Sequence, residues 1–240
     1  DTRAHRFPEK RRRMKIKAFV CYFLLLGCLS SAAACGGDDE GAPVPPPPAP
    51  PEDAGSGNMR VKTRGENLYI AAKMDGERDI VYWFKRCMFN ELYTFYRVGI
   101  VRNTASEPIR DPSREPEIEL NLAFSDNIGP FAVSGYGWCG ANHSYKEGQK
   151  VRTAYNEWFS VRANDRPVTG DVTLLADSVT VDVVNVILDP SRPLEDGELR
   201  DPLCRETVHY RIEGRNIEVS ASHLFCNTAP VTIETYYGMQ

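Results

Sequence analysis

The densest run of side chains able to engage a ligand is Tyr136, Trp138, Asn142, His143 and Tyr145. An exposed Trp or Tyr ring can stack on a sugar, Asn and His hydrogen-bond hydroxyls, and a His near neutral pH can act as a general base. Two chemistries follow from these residue types. One is recognition of a glycan or another surface ligand without turnover. The other is acid–base catalysis on carbohydrate, with His143 and Tyr145 as the exchanging groups. Core packing and loop hydrogen bonding are the plain alternative for the same side chains.

The same stretch contains Gly135-Tyr136-Gly137-Trp138-Cys139-Gly140, which satisfies G-x-G-x-x-G. A dinucleotide site needs a helix directly after that motif, whose N-terminus receives the pyrophosphate. The chain instead continues Ala141-Asn142-His143-Ser144-Tyr145-Lys146-Glu147-Gly148, with little helical pattern. A glycine-rich loop pinned by Cys139 is expected.

Elsewhere the chemistry-bearing residues are dispersed. His5, His143, His209 and His223 form neither H-E-x-x-H nor a close pair, so no metal site is expected. No G-x-S-x-G nucleophile elbow and no C-x-x-C redox motif occur. Glu115, Glu117 and Glu119 could align on one strand face like paired glycosidase acids, but beside Pro112 and Pro116 they read as a solvated edge. Eight of the 24 aromatic residues fall between Tyr69 and Tyr96, and a core role is expected for them. Adjacent Tyr82, Trp83 and Phe84 must point to opposite sheet faces, so both faces require cover. No catalytic residue or cofactor is assigned, and a non-catalytic role is preferred.

The elements that position these residues are short apolar-alternating runs broken by Gly, Pro, Asn and Asp, which read as strands. Predicted strands are Asn67–Ala72, Asp79–Phe84, Leu92–Val101, Ile118–Ala123, Phe131–Ser134, Trp158–Ala163, Val179–Leu188 and Val231–Tyr237. The clearest unit is a hairpin with Glu213 opposite Asn216. Ile212 then faces Ile217, Tyr210 faces Val219 and Val208 faces Ala221, with Arg211 opposite Glu218 on the other side. Val184, Val186 and Leu188 alternate in the opposite phase to Val179, Val181 and Val183, which a bulge near Val183-Val184 would reconcile. Residues 189–202 read as a loop. The fold class expected is all-β: an antiparallel β-sandwich, jelly-roll or supersandwich-like, or alternatively a barrel. The pattern is still running at Tyr236-Tyr237-Gly238-Met239-Gln240, so a further C-terminal piece is expected.

Charge divides the chain sharply. Residues 1–35 hold 8 Lys and Arg against 2 Asp and Glu, whereas the remainder holds 21 against 31, a net of −10. An acidic body argues against nucleic acid as a partner, because that affinity rests on Lys and Arg meeting phosphates. From Met14 onward, Lys15 and Lys17 precede an apolar run, Ala18–Leu29, and small residues lead to Cys35. This reads as a cleaved export signal, since the apolar run falls short of the roughly 20 residues that span a bilayer. Residues 36–58, with Pro43, Pro45–Pro48, Pro50 and Pro51, read as an extended, unstructured tether. Residues 59–240 form the one β-rich domain expected.

Ala32-Ala33-Ala34-Cys35 resembles the lipobox of bacterial lipoproteins, in which the cysteine is diacylated after the signal is cut. Leu25-Leu26-Gly27-Cys28 competes; it has the usual Leu but leaves a short signal. Cys35 is preferred, and cleavage without a lipid is the simpler alternative. The resemblance implies export across the inner membrane and a membrane partner held through lipid at the cell envelope. Gly140-Ala141-Asn142-His143, Thr153-Ala154 and the terminal Tyr236–Gln240 resemble β-rich domains of secreted bacterial and phage tail proteins. That resemblance implies a β-sandwich in a glycan-facing setting and no catalytic residues. The function expected is non-catalytic binding of a glycan or surface ligand. A carbohydrate-active enzyme and a structural or adhesion component with a protein partner are the alternatives.

Cys87, Cys139, Cys204 and Cys226 lie in the body. An even number after an export signal suggests two disulfides, with three pairings open. Cys204 and Cys226 sit at the open ends of the hairpin, which favours joining them and leaves Cys87 with Cys139. In that register Cys204 stands opposite Phe225, so a bulge or loop there must close the gap.

Overall fold

The computed structural model describes residues 57–120 and 129–238, all within one compact unit spanning Pro48–Gln240. The signal, Cys28, Cys35 and nearly all of the tether lie outside the described residues, as does part of the strand predicted over 118–123. The strands are β1 (Met59–Arg64), β2 (Asn67–Lys73), β3 (Arg78–Cys87), β4 (Leu92–Arg102), β5 (Ile118–Glu119), β6 (Phe131–Val133) and β7 (Gly137–Cys139). There follow β8 (Ala154–Ala163), β9 (Arg166–Pro167), β10 (Thr173–Ala176), β11 (Val179–Leu188), β12 (Pro202–Glu213), β13 (Asn216–Phe225) and β14 (Ile233–Tyr236).

These strands form three open sheets, ordered β10-β1-β2-β3-β4-β5, β13-β12-β11-β8-β9 and β14-β6-β7. The two larger sheets share one core and make a β-sandwich. Each sheet ends in edge strands, so the barrel alternative is set aside. Period-2 alternation is the cause: Val208, Tyr210 and Ile212 of β12 are buried, whereas Arg205, Thr207 and Arg211 are exposed. The inward set meets Leu68, Ile70, Tyr82, Phe84, Tyr93 and Phe95 of the facing sheet. Each such side chain contributes about 1.5–3 kcal/mol by leaving water. Ring contacts bridge the layers, with Tyr93 stacked on Phe159 at 3.8 Å and Phe84 edge-on to Tyr210 at 5.3 Å.

The hairpin forms in the register read from its turn, Glu213 pairing with Asn216 and each pair through Cys204 and Phe225 following. Tyr82 and Phe84 point into the sandwich while Trp83 joins Ala71, Val81 and Val101 in a cluster on the outer face of the first sheet. Ile109 packs on that cluster from the β4–β5 connection, and the Trp83 indole N–H donates to the Pro112 carbonyl at 2.9 Å. The cover expected for both faces is therefore supplied by residues 103–117. There Glu115 and Glu119 both bind the Arg97 guanidinium, which lies 4.9 Å over the Trp83 ring. Glu117 pairs with Arg114 at 2.8 Å. The three glutamates hold this cover in place.

In β11 the phase change has another origin. The strand keeps an unbroken register with β12 from Val179 to Ile187. Its residues alternate strictly, and both faces are buried in the second half because Val186 and Leu188 pack with Leu199, Tyr145 and Val151. A register shift does occur, between Val184 and Asn185 against β8, where Glu157 is the extra residue.

A second core lies under the small sheet, where Phe131, Val133 and Cys139 pack with Leu92, Ile187, Leu203 and Cys204. All four body cysteines are free thiols here. The two predicted bridges are not formed. Cys204 faces Phe225, so Cys226 falls one residue beyond it, its N–H donating to the Leu203 carbonyl at 3.0 Å. Cys139 lies in the second core with Cys204, while the Cys87 thiol donates to the Lys85 carbonyl at the end of β3.

Candidate functional site

The loop from Ser134 to Thr153 carries every residue singled out for ligand chemistry, and two buried side chains shape it. Asn90 Nδ2 donates to the Ala141 carbonyl at 2.8 Å, and Asn90 Oδ1 accepts from the Thr153 N–H at 3.1 Å. Thr153 Oγ1 donates to the His143 carbonyl and accepts from the Gly140 N–H at 3.1 Å. Backbone groups of an irregular loop are thus satisfied without a strand ladder, which is what permits the loop to be ordered. Glycine is required at Gly137, where φ is +103° and an added Cβ would lie 2.9 Å from the Tyr145 carbonyl oxygen. The paired glycines serve this close approach. Gly137 begins β7, and the chain after Gly140 turns without entering a helix.

Five candidates are distributed over one short region, with different neighbours. Tyr136, at the turn between β6 and β7, is 50% exposed. Trp138 on β7 is half-buried, with the Tyr237 ring stacked on it at 4.9 Å and the His143 ring at 5.2 Å. Asn142 is half-buried in the loop. Tyr145 is committed elsewhere: its hydroxyl donates to the Gly197 carbonyl at 2.5 Å. The Tyr145 hydroxyl is therefore already engaged by the 194–197 turn rather than by the Trp138–His143 contact. The structure joins Trp138 and His143 and adds Tyr237, which sequence reasoning had only as part of a strand.

The result is an aromatic ridge along the small sheet. Tyr237 is 48% exposed, and Tyr236 is stacked on Phe131 at 4.8 Å. Phe225, at the end of β13, meets Phe131 at 5.8 Å. Burial raises the Tyr236 hydroxyl pKa, with the Glu206 carboxylate adding to the effect. The ridge supplies planar apolar surface with tyrosine hydroxyls and the imidazoles of His143 and His223 beside it, a composition suited to stacking and hydrogen bonding.

Two further histidine sites were missed. Glu206, only 2% exposed, accepts from Asn185 Nδ2 at 2.9 Å and sits 3.0 Å from His223 Nε2. On the outer face of the five-stranded sheet, His209 Nδ1 lies 2.6 Å from Asp182 Oδ1. Ser220 stands in register beside His209 on the next strand. Trp158, 50% exposed, pairs with Val184 on the same sheet. The hairpin register already aligned Glu206 with His223 and His209 with Ser220, so the signal was present. Burial of Glu206 was not. Among the described residues no group of three or more His, Cys, Asp or Glu is arranged to hold a metal ion. Comparison with family models, with curated proteins and with solved structures found no match.

Proposed function

We propose that this chain is a lipid-anchored protein of the bacterial cell envelope that binds a glycan or another surface ligand without turning it over. The carrying observation is the ridge in which Tyr237, about half exposed, stacks on Trp138 with the His143 ring beside it, while Tyr136, also half exposed, stands at the turn that leads into the Trp138 strand. The export signal, the tether and the cysteine at the signal's end support the location. Because Trp138 is already packed against two rings, the faces available to a sugar belong to Tyr136 and Tyr237. A glycan array probed with the purified protein tests the reading. At least one glycan class binds, and Tyr136→Ala or Tyr237→Ala each lowers affinity by about tenfold, the value of one base–aromatic or sugar-like stacking contact of about 1–3 kcal/mol. Absence of binding to every glycan ends the carbohydrate assignment and leaves a protein partner. Palmitate labelling that persists in Cys35→Ser moves the anchor to Cys28 or elsewhere.

One observation favours a catalytic reading. With Nδ1 held by Asp182, the other nitrogen of His209 is the one left for proton transfer, and Ser220 lies alongside it. Turnover of a bound polysaccharide or of an activated ester that is lost in His209→Ala and kept in His143→Ala would support hydrolysis at this face.

A further inference from the structure

The geometry points to a second binding site, separate from the aromatic ridge: a cleft between the 150–155 and 196–200 segments that takes the carboxylate-bearing ring of an acidic oligosaccharide, a uronic-acid unit. The cleft encloses about 550 Å³, within the roughly 300–1,000 Å³ of small-ligand sites. Its floor is apolar, formed by Leu188 and Leu199, 5% and 7% exposed, with Val151 packed beside them. Tyr155, 43% exposed, supplies an aromatic wall.

Charge at the rim runs against that of the body. Lys150, Arg152 and Arg200 line the cleft together with Asp196 and Glu198, in a body whose net charge is −10. Lys150 is exposed and has no ion-pair partner among the described residues. Arg152 is tied to Glu91 at 2.7 Å. Arg200 and Glu198 stand 3.9 Å apart with side chains 71% and 67% exposed. Exposed pairs of that kind contribute little, so Arg200 can turn to a ligand carboxylate at small cost.

The walls are held before any ligand arrives. The Tyr145 hydroxyl donates to the Gly197 carbonyl at 2.5 Å, and the Gly197 N–H donates to the Leu194 carbonyl at 2.9 Å. Gly197 has φ of +85°, a left-handed conformation that favours glycine at this turn. Pro193 and Leu199 close it with an isolated β-bridge. Preformed walls spare the complex the entropy of ordering two loops. Tyr145 is thus a positioning residue for this cleft.

A uronic-acid ring uses each of these features. Its C–H face meets Tyr155 and the apolar floor, its hydroxyls donate to Asp196 and Glu198, and its carboxylate meets Lys150 and Arg200. A neutral sugar leaves the cations unanswered, and an aliphatic acid leaves the two rim carboxylates without donors.

Titration calorimetry of the purified protein with trigalacturonate, and with maltotriose as the neutral comparison, tests the cleft. Trigalacturonate is expected to bind at least about tenfold more tightly than maltotriose, and to weaken with added salt. The Lys150→Ala/Arg200→Ala double variant and Tyr155→Ala each lose about tenfold or more, while Arg64→Ala, which removes an exposed cation outside both the cleft and the ridge, leaves the affinity unchanged. Circular dichroism matching the wild type is required of each variant, so that misfolding does not count as loss of binding. Equal affinity for the neutral sugar overturns the proposal, as does no binding tighter than about 10 mM. Unchanged binding by the double variant, or an equal loss in Arg64→Ala, overturns it as well. Failure of the ridge variants on a glycan array leaves this result untouched, so the two sites fail separately.

Discussion

Tyr82 buries its ring in the main core with no hydrogen-bond partner for its hydroxyl among the described residues. Burial alone pushes that hydroxyl up to about 12. A buried unsatisfied hydroxyl costs about 1–3 kcal/mol, so Tyr82→Phe is expected to leave stability unchanged or raise it by about 1 kcal/mol. A lower denaturation midpoint in Tyr82→Phe would show that the hydroxyl is in fact satisfied. Glu206 is the opposite case, a buried carboxylate whose partners are Asn185 and His223. Leaving a buried polar group without one of its hydrogen-bond partners is costly, and His223→Ala is expected to lose about 1–3 kcal/mol. Adding Glu206→Gln to that variant changes the stranded group and should recover part of the loss; no recovery would mean that His223 acts through packing on Phe131 and Tyr236. The alignment of Glu206 with His223 was legible from the turn at Gly214-Arg215. Its burial was not, because that depends on the small sheet arriving from residues far away in the chain.

Among the elements, the hairpin is the one that local pattern determined completely, since turn length and alternation select the same register. Strand β11 shows the limit of that reasoning. Its apparent change of phase is unbroken alternation under two different covers, and only the packing of Val186 and Leu188 on Leu199 reveals the second. Strands β1, β7, β9 and β10 were not predicted; β7 and β9 are too short to display a period, and β7 is hidden in the glycine motif. That motif makes its own prediction. Gly137→Ala must force φ out of +103° or push Cβ against the Tyr145 carbonyl. A cost of about 1–3 kcal/mol is expected, with loss of ridge binding, and thermal unfolding measures it. The cysteines are testable at the same scale. Cys226 is exposed while Cys87, Cys139 and Cys204 are buried, so native alkylation without reductant should label Cys226 first and the others only on unfolding. Failure to label any of them after unfolding without reductant would establish disulfides instead.

For the whole molecule, the buried neutral groups make stability fall at alkaline pH. Burial raises Cys87 to about 11 and Cys139 to about 12, from an ordinary thiol value of 9.0. Cys204 is raised further by burial, with Glu206, Cys139 and Cys226 adding to it. The unfolded chain releases these protons first, so their contribution is fully present below about pH 9 and is lost progressively as pH rises toward about 12. Urea midpoints measured at about pH 8 and about pH 10.5 should therefore differ, with the lower value at high pH. Equal midpoints would mean that the thiols are not buried as free groups, as disulfide formation would produce.

Two levels of information separate cleanly in this protein. The sequence by itself determined that the body is all-β, where its best hairpin turns, and which short loop concentrates aromatic and polar side chains, because alternation and turn chemistry act over a few residues. Tertiary structure alone decided which of those side chains meet. Trp138 acquired Tyr237 from the chain's far end, Tyr145 left the ridge to pin Gly197, and a cleft opened between segments some 40 residues apart in sequence. The physical reason is that burial and convergence are set by how sheets stack, and stacking joins positions whose separation leaves no local trace.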